Sequence, residues 1–422
     1  MTHSPPKPRV LSAPHPAEGF TAPGFEPLAR VFAAQLATKE VGAAIVVYQD
    51  GEKVVDLWGG IANKERKTPW LRDTRVPVFS ASKGLSAMAF HLASTRELFE
   101  WDAPVATYWP KFAGGGKAAI TVRELLNHQA GLAVLDTKFS LLQCTQPEHQ
   151  GAIRAALEAQ TPQHSSQAYH GITWGLYAGV LFEKITGENI GSYARRELYD
   201  PLGSSARIGE DVGDAEKTAT LYAPKISTRA FQMARRATTK PLSAEARILR
   251  DLPKRDSLAR RAFENPSAGK PGPLAYNTPE VRRASLPWGS ATASADGLAR
   301  AYLPFALGGE VDGRRFFSAE SLKPIYERQG WSERDSVLQK PLGWSQGFLK
   351  EERHVFSPNP QSFGHAGMGG ALGWADPVTR TCFGYVMNRM DWRVRSARTV
   401  QLCRALYECK SLHFAHPKAL SL

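Results

Sequence analysis

Strand-forming sequence sits at the two ends of this chain, and helix-forming sequence fills the middle. Near the start, AAIVVYQ and KVVDLWG flank Asp50-Gly51, a dipeptide that tolerates the positive φ of a tight turn between β-branched runs. Comparable runs return only late, in GWSQGFLK at 343–350, GGALGWADP at 369–377 and TCFGYVMNR at 381–389, with the turn residues and aromatics of antiparallel strands. From about 76 to 210 the pattern is helical, in KGLSAMAFHLASTREL, TVRELLNH, GAIRAALEAQ and TWGLYAGVLFEKITG. FEPLARVFAAQLATKE at 25–40 places Leu28, Val31, Phe32 and Leu36 at helical spacing, and VRSARTVQLCRALYEC at 394–409 reads as a closing helix. If the two ends share one sheet, the fold is α/β (α+β), an antiparallel sheet flanked by terminal helices with a helical domain inserted. The expected boundaries are a loose segment at 1–24, an α/β domain from 25–75 and 290–422, and the insertion at 76–289.

The 422 residues allow one large composite domain or two. With 42% hydrophobic and 22% charged residues, wholesale disorder, collagen and coiled coil are poor fits. The first residues are polar and proline-broken, without the apolar core of a secretory signal, and no apolar run reaches the ~18 residues of a spanning helix. The expectation is a cytoplasmic protein with no membrane span. Cys144, Cys382, Cys403 and Cys409 lack paired spacing and read as buried reduced thiols. The net charge is +13, and the segment 217–270 holds thirteen cations against four carboxylates. That segment reads either as a solvated face or as a cationic lid bordering the active site, a surface for an anionic partner. No recognition motif supports a nucleic-acid partner.

Two serines compete as nucleophile. In VPVFSASKGLSAM an extended stretch runs into a long apolar helix, and Ser80 and Lys83 stand one turn apart on one face. A lysine there takes the serine proton if burial or a neighbouring cation keeps it neutral part of the time, and a helix N-terminus favours the developing alkoxide. The same tetrad at Ser4/Lys7 and Ser267/Lys270 is broken by proline and glycine and carries no such meaning. Ser345, in GWSQG, satisfies the G-x-S-x-G elbow pattern, but that elbow needs strand, turn and helix, and FLKEERHVF continues as a strand and its exit. Tyr169, ahead of an apolar helix, is a candidate proton relay. His365 and Gly367, ahead of a strand, are candidates for a substrate edge with backbone oxyanion donors. With no HExxH, clustered Cys/His, GxGxxG after a strand or Walker loop, no metal and no cofactor are expected.

Taken in order, seven islands from about Val41 to Arg389 resemble the serine β-lactamase and penicillin-binding-protein superfamily. They are VGAAIVVYQDGEKVVDLWGG, PVFSASKGLSAM, EWDAPVATYWPKF, ITVRELLNHQAGL, AYHGITWGLYAGVLFEKITG, FGHAGMGGALGWADP and GYVMNRM. The similarity is greatest to its class C-like esterase branch, the family VIII carboxylesterases and β-lactamase-domain proteins. The resemblance implies a β-lactamase/transpeptidase-like fold, Ser80 as acyl-accepting nucleophile, Lys83 as proton acceptor and Tyr169 as proton relay. It places His365 and Gly367 where the family has the lysine and glycine of K-T-G, and forms the oxyanion hole from the amides of Ser80 and Met368.

Two departures bear on substrate. The Y-x-N motif reads Tyr169-His170-Gly171, without the asparagine that binds a β-lactam side chain, and K-T-G reads His365-Ala366-Gly367, without its permanent cation. Both favour a serine hydrolase acting on small carboxylic esters. D-amino-acid peptidase, β-lactamase, acyltransferase and a non-catalytic scaffold are the alternatives.

Overall fold

The computed structural model describes residues 17–224, 244–251, 254, 256–350, 355–410 and 412. Its helices include α1 (Glu26–Thr38), α2 (Ala81–Thr95), α3 (Val122–Leu126), α4 (Thr173–Thr186), α5 (Leu258–Glu264) and α6 (Ala397–Tyr407). The main sheet runs through β1 (Glu18–Thr21), β2 (Gly42–Gln49), β3 (Glu52–Asn63), β4 (Gly330–Ser332), β5 (Leu342–Ser345), β6 (Phe348–Lys350), β7 (Phe363–Ala366), β8 (Leu372–Asp376) and β9 (Thr381–Met387). Their order is β1-β3-β2-β9-β8-β7-β6-β5-β4, and every pair is antiparallel.

The sheet is built from both chain ends. Asp50 and Gly51 take φ of 51° and 86° and close the β2–β3 hairpin, and β2 then pairs with β9 in the register Thr381↔Gln49 to Met387↔Ala43. Every residue of β2 and β9 is buried, as central strands covered on both faces require. α1 and α6 pack together, tied by Gln35 Nε2 donating to the Arg398 carbonyl at 3.1 Å. α2 lies against β6, β7 and β8, and Ala81 through Ala93 are buried all round. A helix without a solvated face sits at the middle of a molecule. Val76–Pro77 pairs with Thr292–Ala293 where the chain enters and leaves the intervening block.

The expected loose start is corrected in part. Residues 18–21 form the edge strand β1, paired with β3 from Glu18↔Trp58 to Thr21↔Val55. Four residues, one of them Gly19 at φ 112°, carry too little alternation to show in sequence. The strand expected from 369 begins at Leu372, because Met368–Gly370 forms a 3-10 turn. The four cysteines are buried and free. Among the described residues no helix is long and apolar enough to cross a membrane.

Candidate active site

Ser80 is the N-cap of α2, and its presentation is enforced from before and behind. Phe79 takes φ 48°, a left-handed conformation costing a non-glycine residue about 1–3 kcal/mol. Flanking bonds hold it there. The Val78 amide donates to the Ala291 carbonyl at 2.9 Å, and Ser82 Oγ accepts from the Ala291 amide at 3.0 Å. The Ser80 side chain makes no capping bond to its own helix, so its hydroxyl is left for the cleft it lines.

Lys83 follows one turn later, fully buried. Its Nζ lies 3.3 Å from Ser80 Oγ and donates to the carbonyls of Gly171 at 2.8 Å and Trp288 at 3.3 Å. Burial, with no counter-charge beside it among the described residues, holds its pKa well below the ordinary lysine range. Nζ also stands 4.9 Å from the centroid of the Tyr169 ring. That ring is buried and stacks on Trp344 at 5.8 Å.

His365 lies on β7 behind the cleft wall. A Cβ at Gly84 would come within 2.3 Å of Tyr302 Oη and 3.0 Å of His365 Cβ, so only glycine lets α2 approach the strand bearing His365. His365 Nδ1 bonds the Ala366 carbonyl at 2.8 Å, which puts the proton on Nδ1 and leaves Nε2 an acceptor. Burial pushes its pKa well down, so the ring is neutral where the resemblance has a lysine. Gly367 faces the nucleophile's own approach: a Cβ there would lie 2.0 Å from the Val78 carbonyl oxygen. Met368, the next residue, lines the same cleft as Ser80. Among the described residues nothing accepts from the amides of Ser80 and Met368.

Three partners escaped sequence reasoning. The carbonyls of Gly171 and Trp288 act through backbone, which no residue type announces. His128, after α3 with φ 63°, packs 4.0 Å from the Trp344 ring and 5.0 Å from the Tyr169 ring, and its Nδ1 accepts from the His170 amide at 3.0 Å. Its one signal was its place in the ITVRELLNHQAGL island. Burial brings the His170 pKa down to about 3, so this flank is uncharged as well.

Ser345 does not join the site. It ends β5, is buried, and donates to the Pro324 carbonyl at 3.0 Å, while Gln346 and Gly347 at φ 46° and 84° turn the chain straight into β6. GWSQG is thus a hairpin, and Ser345→Ala is expected to leave hydrolysis within about twofold of wild type in a p-nitrophenyl ester assay.

The cleft encloses about 510 Å³. Phe79, Leu141, Ile172, Phe263, Tyr276 and Trp288 give it apolar walls, and Glu264 is the one charged lining residue among those described. The basic segment reaches it through α5 and the residues after it, without a described cation on the wall. Arg260 pairs with Glu264 at 2.6 Å, Arg261 with Asp136 at 2.8 Å, and Arg247 donates to the Gln339 carbonyl. Lys225, Arg229, Arg235, Arg236, Lys240 and Arg255 lie outside the described residues. Gly171, where the resemblance has asparagine, leaves its space to Phe263, whose Cε1 would lie 2.6 Å from a Cβ there. Among the described residues no group of His, Cys, Asp or Glu is placed to hold a metal ion.

A mixed α/β fold with a large antiparallel sheet and an S-x-x-K pair heading a buried helix defines the β-lactamase/transpeptidase-like class of serine hydrolases. The chain belongs to the Beta-lactamase family, whose family model matches residues 28–405. It is 33% identical over 380 residues to the esterase/beta-lactamase LipL of Mycobacterium tuberculosis, covering 88% of this chain and 83% of that protein. Among solved structures it is similar to a family VIII carboxylesterase, with TM-score 0.80, 29% identity, and 93% and 99% of the two chains covered. A penicillin-binding-protein homologue from Caulobacter crescentus gives TM-score 0.79 at 29% identity, with 93% and 99% covered.

Proposed function

We propose that this protein is an esterase that forms an acyl-enzyme on Ser80 and hydrolyses small, neutral carboxylic esters. The observation that carries this reading is the buried Lys83 amine, its pKa lowered by desolvation, 3.3 Å from Ser80 Oγ at the head of an apolar cleft. A neutral amine has two N–H bonds and one lone pair. The carbonyls of Gly171 and Trp288 take the two N–H bonds, which turns the lone pair to the Ser80 hydroxyl. Lys83 then removes the Ser80 proton as Oγ attacks the ester carbonyl, a general-base contribution of about 10²–10⁴ in rate. The amides of Ser80 and Met368 receive the oxyanion. The proton passes to the leaving alcohol from Lys83, with Tyr169 as relay, and water releases the acid. Reaction with a fluorophosphonate and peptide mapping tests the assignment. The adduct is expected on the Ser80 peptide; an adduct on Ser345, or none, overturns it.

The electrostatics favour esters over β-lactams. A β-lactam brings a carboxylate, and among the described residues no cation lines the cleft to meet it: His365 is neutral, and the one charged lining residue, Glu264, is an anion paired with Arg260. A carboxylate left without a counter-charge costs about 2–5 kcal/mol. Phe263 closes the space beside Gly171 that would accept a β-lactam side chain. The expected kcat/KM for p-nitrophenyl butyrate exceeds that for a chromogenic cephalosporin by about 100-fold or more, and Phe263→Ala narrows the gap by admitting bulkier acyl groups. Equal turnover of the two substrates by the wild type would refute the preference.

A further inference from the structure

The oxyanion donor at Met368 sits in a turn that has little stiffness of its own. Gly369 and Gly370, which follow it, take φ of 87° and 128° and carry no side chains to restrain them. Inside the turn, the Gly370 amide donates to the Gly367 carbonyl at 3.1 Å and the Gly367 amide to the Ala371 carbonyl at 2.7 Å. The carbonyls of Gly369 and Gly370 are held from behind. Arg398, at the start of α6, donates through Nη2 to the Gly369 carbonyl at 3.0 Å and to the Arg389 carbonyl at 2.7 Å. Thr399 Oγ1 donates to the Gly370 carbonyl at 2.6 Å, and the Asp391 amide donates to Gly369 O at 2.9 Å.

Arg398 is itself fixed. Its Nη1 bonds Glu40, just past α1, and Glu40 Oε1 accepts from Tyr385 Oη on β9 at 2.7 Å. Both charged groups are buried. A buried ion pair returns little net stability, because desolvation offsets most of its Coulomb gain. What this pair supplies is a guanidinium held in one orientation with two N–H bonds aimed at backbone.

We propose that Arg398, locked by Glu40 and seconded by Thr399, is a positioning residue for the oxyanion site, through which the two terminal helices hold the Met368 amide on the reacting carbonyl. This rests on the reading of Ser80 and Met368 given above. A donor displaced by about 1 Å loses on the order of 10² in rate, felt in the transition state rather than in substrate binding.

Two variants test it. Arg398→Met with Glu40→Gln removes both charges of the pair at once, and Asp391, 3.9 Å from the Arg398 guanidinium, keeps its ion pair with Arg393 at 3.3 Å; Thr399→Val removes one hydrogen bond and keeps the shape. With p-nitrophenyl butyrate, kcat is expected to fall about 100-fold in the first and about fivefold in the second, with KM within about twofold. The rate ratio of an ester to its thionoester, which places sulfur in the oxyanion site, is expected to fall toward unity, since misaligned donors no longer favour oxygen. A merely structural role would slow both substrates alike. Folded variants with wild-type kcat, or with an unchanged ester-to-thionoester ratio, overturn the proposal, and if the double variant does not fold, Thr399→Val decides alone. A Ser80→Ala protein that still hydrolyses the ester would overturn the underlying reading instead.

Discussion

Ser80→Ala is expected to lower kcat for p-nitrophenyl butyrate by about 10⁴-fold or more, to abolish fluorophosphonate labelling, and to leave Tm within about 2 °C of wild type. The last expectation separates this serine from an ordinary helix cap. Replacing a serine N-cap by alanine usually costs about 1 kcal/mol, because its hydroxyl accepts from an amide of the first turn. At Ser80 that bond is absent: the hydroxyl faces the cleft and Lys83. The strained Phe79 conformation is held by the Ala291 bonds at Val78 and Ser82, neither of which involves the Ser80 side chain. A loss of activity at constant Tm therefore reports chemistry. A fall of several degrees would show that the hydroxyl supports the helix.

The sequence announced the parts of this site that depend on spacing and context. Extended residues running into an apolar helix picked out Ser80 from two other S-x-x-K tetrads, and Asp50-Gly51 between β-branched runs located the hairpin on which the sheet is built. Information that lies in the backbone did not surface. The carbonyls of Gly171 and Trp288 that bond Lys83 come from loops 88 and 205 residues away, and any residue type could have supplied them. Glycine was legible as a marker of close approach, but not as to what approaches. Gly367 meets the Val78 carbonyl rather than a substrate, and Gly171 meets Phe263, from the basic segment whose charge had drawn attention. GWSQG shows the converse. A five-residue pattern is compatible with an elbow and with a two-residue hairpin; the strand-like FLK that follows pointed to the hairpin, and the φ values of Gln346 and Gly347 give its geometry.

Lys83→Met provides the second large effect and a test of the protonation state. With the base removed, kcat is expected to fall about 10³-fold, while Ser80 keeps its place at the head of α2. In the wild type, burial lowers the Lys83 pKa, so the free amine is present above that lowered value and activity is lost as pH falls through it. The acid limb of kcat/KM is thus expected well below the ordinary lysine range. Stability follows with its own sign. Between the lowered folded value and about 10.4 in the unfolded chain, the unfolded state binds the extra proton, so Lys83 makes stability rise with pH across that window. Above about pH 7.5 the buried His128, His170 and His365, whose unfolded value is near 6.5, no longer add to this slope. A thioether in place of the amine cannot bind a proton, so above about pH 7.5 the Tm of Lys83→Met relative to wild type is expected to decline as pH rises from the lowered Lys83 value toward about 10. The two carbonyls left unpaired by the substitution shift the variant's Tm by a constant and do not alter that slope. A Tm difference flat across the range would mean that Lys83 is charged in the folded protein and cannot be the base.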